Sequence, residues 1–129
     1  GGSLFGKKVL LVDDDVRNLF SLSAILEEVG IEAVTANNAK EGLRLLNDKN
    51  CGIQLVLTDI MMPEMDGYEF IETIRETEAI ASVPIIALTA RVGSDEKERC
   101  LAIGADDYIS KPIDEGLLIQ ILRYWLVRK

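Results

Sequence analysis

Apolar positions along the chain fall into two alternating patterns. Val9-Leu10-Leu11-Val12 is a short continuous apolar run and predicts a first strand. Leu19, Leu22, Ile25, Leu26 and Val29 then recur at helical spacing, with Gly30 as the stop. Residues 32–36 read as a weaker edge strand, and Asn37 or Asn38 caps a second helix that buries Ala39, Leu43 and Leu46. Asn50 and Gly52 break the chain before a third strand over residues 53–58, and Tyr68, Phe70, Ile71 and Ile74 mark a third helix. Ile85-Ile86-Ala87-Leu88 is a fourth strand, with Thr89-Ala90 at its end. Ser94 or Asp95 opens a fourth helix carrying Cys100, Leu101 and Ile103, which stops at Gly104. Tyr108-Ile109 belong to a fifth strand closed by Lys111-Pro112. Asp114 caps a last helix, expected to run to Lys129, with Leu117, Leu118, Ile121, Leu122 and Trp125 on one wide stripe.

Five strands alternating with five helices predict an α/β fold: a parallel sheet with helices on both faces and right-handed crossovers. The 129 residues suit one domain. Gly1-Gly2-Ser3 reads as a cloning remnant, which leaves 4–129 as the domain. A formal net charge of −8 provides no basic face, so direct nucleic-acid contact is not expected. No apolar run reaches the length of a membrane span, and the expected location is cytoplasmic, without membrane contact. Cys51 and Cys100 lie outside metal-ligand spacing and read as small buried hydrophobes in a reduced compartment. The chain has no histidine, which excludes histidine-dependent triads and zinc sites. Phosphohistidine chemistry would have to use a histidine on another domain or protein.

In open α/β sheets, ligands bind outside the carboxyl ends of the strands. There the first strand supplies Asp13-Asp14, the third Asp59, the fourth Thr89 and the fifth Lys111. Clustered carboxylates raise one another's pKa values, and a hard divalent cation relieves that conflict. Magnesium fits oxygen ligands and phosphoryl oxygens best. Asp59 then reads as a carboxylate nucleophile toward phosphorus, with Lys111 and the metal meeting the phosphoryl charge and Thr89 donating one hydrogen bond.

Five pieces carry a family resemblance: Leu11-Val12-Asp13-Asp14-Asp15, residues 58–67 from Thr58 to Gly67, Ala87-Leu88-Thr89-Ala90, Gly104-Ala105-Asp106-Asp107-Tyr108 and Ser110-Lys111-Pro112. In this order the chain resembles a response-regulator receiver domain of two-component signalling, from about Lys8 to the end of the last helix. The resemblance implies a flavodoxin-like (βα)5 three-layer sandwich with strand order 2-1-3-4-5. It implies Asp59 as phosphoacceptor, Asp14 as direct metal ligand, Asp13 acting through water, and the Met61 carbonyl as a third ligand. It further implies Thr89 and Lys111 as the phosphoryl-binding pair, Tyr108 as the switch aromatic whose rotamer follows Thr89, and a cis Lys111–Pro112 bond. The implied partner is a histidine kinase or histidine phosphotransfer domain, and the implied output is a change in the face formed by helix four, strand five and helix five. Met61 and Arg91, two places past Asp59 and Thr89, are expected to tune phosphoryl lifetime. Arg17-Asn18 resemble receivers attached to hybrid histidine kinases, which favours a piece of such a kinase over a stand-alone regulator. Monomer or homodimer is left open.

Simpler readings stand beside these. Asp13 and Asp14 could cap the first helix, with Asp15 solvated. Asp59 could form a turn before Pro63, Thr89 could be a strand former, Lys111 a surface lysine and Tyr108 an ordinary strand aromatic. Met61, Met62 and Met65 read as loop packing, Trp125 as core, and Asp106-Asp107 and residues 96–99 as solvated surface. Two other functions compete. A metal-dependent phosphatase of the haloacid-dehalogenase type wants Asp-x-Asp-x-Thr/Val after strand one, but the fifth position here is Arg17. A flavodoxin-like cofactor binder wants donors for a phosphate in its first loop, where three aspartates would repel one.

Overall fold

A computed structural model describes residues 3–90 and 93–127. Gly1, Gly2, Arg91, Val92, Arg128 and Lys129 lie outside the described residues, and with them part of the proposed remnant, the Arg91 position and the expected end of the final helix at Lys129. The elements run β1 (Lys8–Val12), α1 (Val16–Glu28), β2 (Glu32–Ala36), α2 (Ala39–Leu46), β3 (Leu55–Asp59), α3 (Gly67–Glu76), β4 (Ile85–Thr89), α4 (Ser94–Ala102), β5 (Asp107–Ser110) and α5 (Glu115–Val127). A short 3₁₀ turn, Glu78–Ile80, precedes β4 and has no helical period in the sequence to announce it. The third strand starts at Leu55 rather than 53 and includes Asp59 as its last residue.

All strands are parallel, in the order β2-β1-β3-β4-β5, which puts the weak β2 at an edge as its mixed polarity predicts. The central strands are apolar on both faces because helices cover both. Alternate side chains separate the two layers. Leu10, Val12, Val56, Ile85 and Ala87 pack with α2, α3 and α4 through Leu46, Phe70, Ile71 and Ile74. Val9, Leu11, Leu55, Leu57, Ile86 and Leu88 pack with α1 and α5 through Leu19, Leu22, Leu26, Leu118 and Leu122. The flavodoxin-like three-layer sandwich follows from this register.

Loop chemistry fixes where each helix starts. Asn38 rather than Asn37 caps α2, accepting the Glu41 N–H at 2.8 Å. Asp66 caps α3 and Asp114 accepts the Leu117 N–H at the start of α5. Gly30 ends α1 with φ +86°, under the Phe5 ring, where a Cβ would meet Phe5 at 2.5 Å. On α5 the buried positions are Leu118, Leu122 and Leu126, while Trp125 and Ile121 are half-buried and Leu117 is exposed. The apolar stripe is therefore narrower than the sequence implies. Cys100 is buried and Cys51 only partly so.

Candidate functional site

Parallel pairing brings the ends of β1, β3, β4 and β5 to one rim. Asp59 ends β3, beside Leu88 of β4, and Thr89 ends β4 opposite Ser110 of β5. Asp13 directly follows β1, and Lys111 directly follows β5. The carboxylates of Asp13, Asp14 and Asp59 offer oxygens that all lie within 4.8 Å of one another. Lys111 Nζ reaches into this group, 3.2 Å from Asp59 Oδ1 and 3.5 Å from Asp13 Oδ2. Asp13, Asp59 and Thr89 are buried, Asp14 is exposed and Tyr108 is half-buried on β5. The Met61 side chain is 53% exposed. The Lys111–Pro112 bond is cis.

The loop after β3 is held tightly against the strand. Gly67 N–H donates to the Ile60 carbonyl at 2.8 Å. A Cβ at Gly67 would sit 2.5 Å from the Asp59 carbonyl oxygen and 2.6 Å from Ile60 Cα, so only glycine fits. Glu64 takes a left-handed φ of 66° in the same loop, a conformation that costs a non-glycine residue about 1 kcal/mol or more.

The electrostatics are unbalanced by design of the backbone. Burial pushes the Asp59 carboxyl above its usual range, the Lys111 ammonium opposes that, and the neighbouring Asp13 carboxylate adds to it. Three acids thus face one ammonium. The donor set is oxygen-only and carboxylate-rich, which suits a hard divalent cation.

Several acids occupy places that the sequence does not announce. Asp15 is half-buried and caps α1: its Oδ1 accepts the Arg17 N–H at 2.9 Å, and Arg17 also pairs with it. The solvated member of the triplet is Asp14. Asp106 pairs with Arg75 at 2.8 Å and accepts the Ile85 N–H, and Asp107 accepts the Trp125 indole N–H at 3.0 Å, so neither is plain solvated surface. Glu96 is buried and accepts the Tyr68 hydroxyl. One polar neighbour of the cluster has no motif to announce it. Asn18 Nδ2 donates to Asp13 Oδ2 at 3.3 Å. Its place on the first turn after the acid triplet was the available signal.

Sheet order and rim chemistry define a flavodoxin-like α/β domain with an acidic site at the carboxyl edge of its strands. The chain belongs to the response regulator receiver domain family, whose model matches residues 9–123. It is thus a receiver domain of two-component, phosphorelay signalling. It is 39% identical over 121 residues to the sensor protein GacS of Pseudomonas syringae pv. syringae, covering 92% of this chain and 13% of that protein. It is 40% identical over 121 residues to a CpxR homolog, a transcriptional regulatory protein of Haemophilus influenzae, covering 94% and 51% respectively. The receiver domain of Francisella response regulator 1452 superposes with a TM-score of 0.88 at 32% identity, covering 95% of this chain and 98% of that one. The chain therefore spans about half or less of the length of those two curated relatives.

Proposed function

We propose that this domain accepts a phosphoryl group from a phosphohistidine onto Asp59. The observation that carries the reading is the meeting of Asp13, Asp14, Asp59 and Lys111 at one sheet rim. Magnesium would be held by Asp13, Asp14, Asp59 and the Met61 carbonyl; bound there, it supplies positive charge against the acids and the phosphoryl oxygens. An Asp59 oxygen attacks phosphorus in line, an O–P bond forms and the P–N bond to the donor imidazole breaks. Lys111 turns from the carboxylates to a phosphoryl oxygen, and the Thr89 hydroxyl donates to another. Tyr108 then turns inward and the α4–β5–α5 face changes, the phosphorylated form being favoured by these new contacts.

The donor is a histidine kinase or a histidine phosphotransfer domain docking near α1. Val16 and Phe20, one turn apart on α1, are 64% and 79% exposed and provide an apolar landing beside the rim. Residues 4–129 are read as the receiver unit, because Leu4 is buried in the α1–α5 layer. Its working place is read as the cytoplasm; among the described residues, no helix is long and apolar enough to cross a membrane. The favoured parent is a hybrid sensor histidine kinase, supported by Arg17-Asn18 and by the likeness to GacS. A stand-alone regulator is the second reading, favoured by 38% identity to a 14.6 kDa protein of Leptolyngbya boryana of which this chain covers 88%.

Transfer from a phosphohistidine-bearing partner tests the reading. Wild-type protein should take up label with magnesium present, and Asp59→Asn should take up none. Undiminished labelling of Asp59→Asn would contradict the assignment.

A further inference from the structure

Asp13 is the most enclosed acid of the rim, 1% exposed, and both its oxygens are engaged by the protein. Oδ1 accepts the Asp15 N–H at 2.9 Å. Oδ2 accepts Asn18 Nδ2–H at 3.3 Å and lies 3.5 Å from Lys111 Nζ. A carboxylate only accepts, so the Asn18 nitrogen must be the atom that faces it. Asn18 sits three residues after the Asp15 cap, half-buried, with its own N–H on the Asp15 carbonyl at 3.0 Å. A glutamate commonly stands at that helix position and reaches back to the cap. Here a glutamate would add a fourth carboxylate to the cluster. The amide instead reaches past the cap to Asp13 and adds no charge.

The two donors on Asp13 Oδ2 therefore differ in kind. Lys111 brings a full positive charge that competes with any cation and is also engaged with Asp59. Asn18 brings a neutral donor fixed on a helix. We infer that Asn18 is a positioning residue, holding the Asp13 carboxylate in place for the cation. The inference rests on the proposed function, because it presupposes a cation at Asp13, Asp14 and Asp59. Partners that orient a ligand from behind typically change metal affinity by about tenfold or more when removed.

Calorimetric titration of magnesium into the whole chain tests this, with thermal unfolding of each metal-free variant measured alongside. Asn18→Leu and Asn18→Ala both remove the donor. Each should bind magnesium about tenfold more weakly, without a matching loss of thermal stability. Asn18→Gln keeps the amide donor and should recover most of the affinity. Affinity unchanged in both donor-free variants would overturn the role of Asn18, as would an Asn18→Gln variant as weak as Asn18→Leu. A loss of affinity matched by a loss of stability would also overturn it, reducing Asn18 to a fold-stabilising contact. Wild-type protein that binds while the donor-free variants bind equally well sinks only this inference; wild-type protein that fails to bind magnesium sinks the reading of the site as well.

Discussion

Single side chains at the rim divide the labour by chemistry. In the proposed function Asp59 serves as the nucleophile, a buried carboxylate at a strand end, and Lys111 as the charge that turns to the phosphoryl group. Lys111→Ala should leave Asp59 able to take up phosphoryl groups in part, yet weaken the conformational change; hydrogen exchange in α4 and β5 that still shifts fully on phosphorylation would contradict this. The two thiols differ as well. Burial, with Glu96 beside it, pushes the Cys100 thiol up to about 11, and its side chain is enclosed. A disulfide reagent at neutral pH should therefore label Cys51 well before Cys100 in the native protein. The rim residues were legible because each stands at or just past a strand end, and parallel pairing leaves strand ends only one place to go. Asp15, Glu96, Asp106 and Asp107 were not. A charged letter in the sequence does not reveal a partner, and Tyr68 for Glu96 and Arg75 for Asp106 stand far away along the chain.

Among the helices, α4 is anchored in an unusual way. Its buried side chains are Glu96 and Cys100, and both belong to one polar group with Tyr68, whose ring lies 3.7 Å under the Arg99 guanidinium. A buried carboxylate thus holds α4 beside Cys100, which packs into the apolar layer of α2 and α3. Tyr68→Phe leaves Glu96 with only the weak Cys100 thiol donor and should cost about 2 kcal/mol, read from urea unfolding. Burial, together with the Glu96 hydrogen bond, pushes the Tyr68 hydroxyl from 10.0 up to about 12. Between those values the folded chain keeps a proton that the unfolded chain has lost, so this contribution is present below pH 10 and fades as pH rises toward 12. The stability gap between wild type and Tyr68→Phe should narrow over that range; a constant gap would show that the hydroxyl is not buried as described. Arg75 plays the opposite part, binding α3 to the loops around β4. It donates to the carbonyls of Gly104, Ala81 and Val83 and pairs with Asp106. Arg75→Ala strands these acceptors and should cost about 3 kcal/mol. The helical period announced α3 but not this clamp, which only the packed elements create.

Across the whole molecule, a sheet with two separately packed faces carries one rim where unlike strands must cooperate. The acids there repel one another in the metal-free protein, so a bound cation stabilises the folded state by linkage. Added magnesium should raise the melting temperature by a few degrees, and Asp14→Ala, which removes an exposed proposed ligand without emptying the core, should lose most of that gain. Strand order and layer assignment were readable because the alternation of apolar runs and helical stripes admits few parallel topologies. The parent protein was not, since receiver domains of sensors and of transcriptional regulators match this chain about equally well. The most direct measurement is intact mass with site mapping after incubation with magnesium and a small phosphodonor. One phosphoryl group on Asp59, lost when magnesium is removed, is the expected result. A phosphoryl group mapped to any other residue, or none at all on correctly folded protein, would contradict the account.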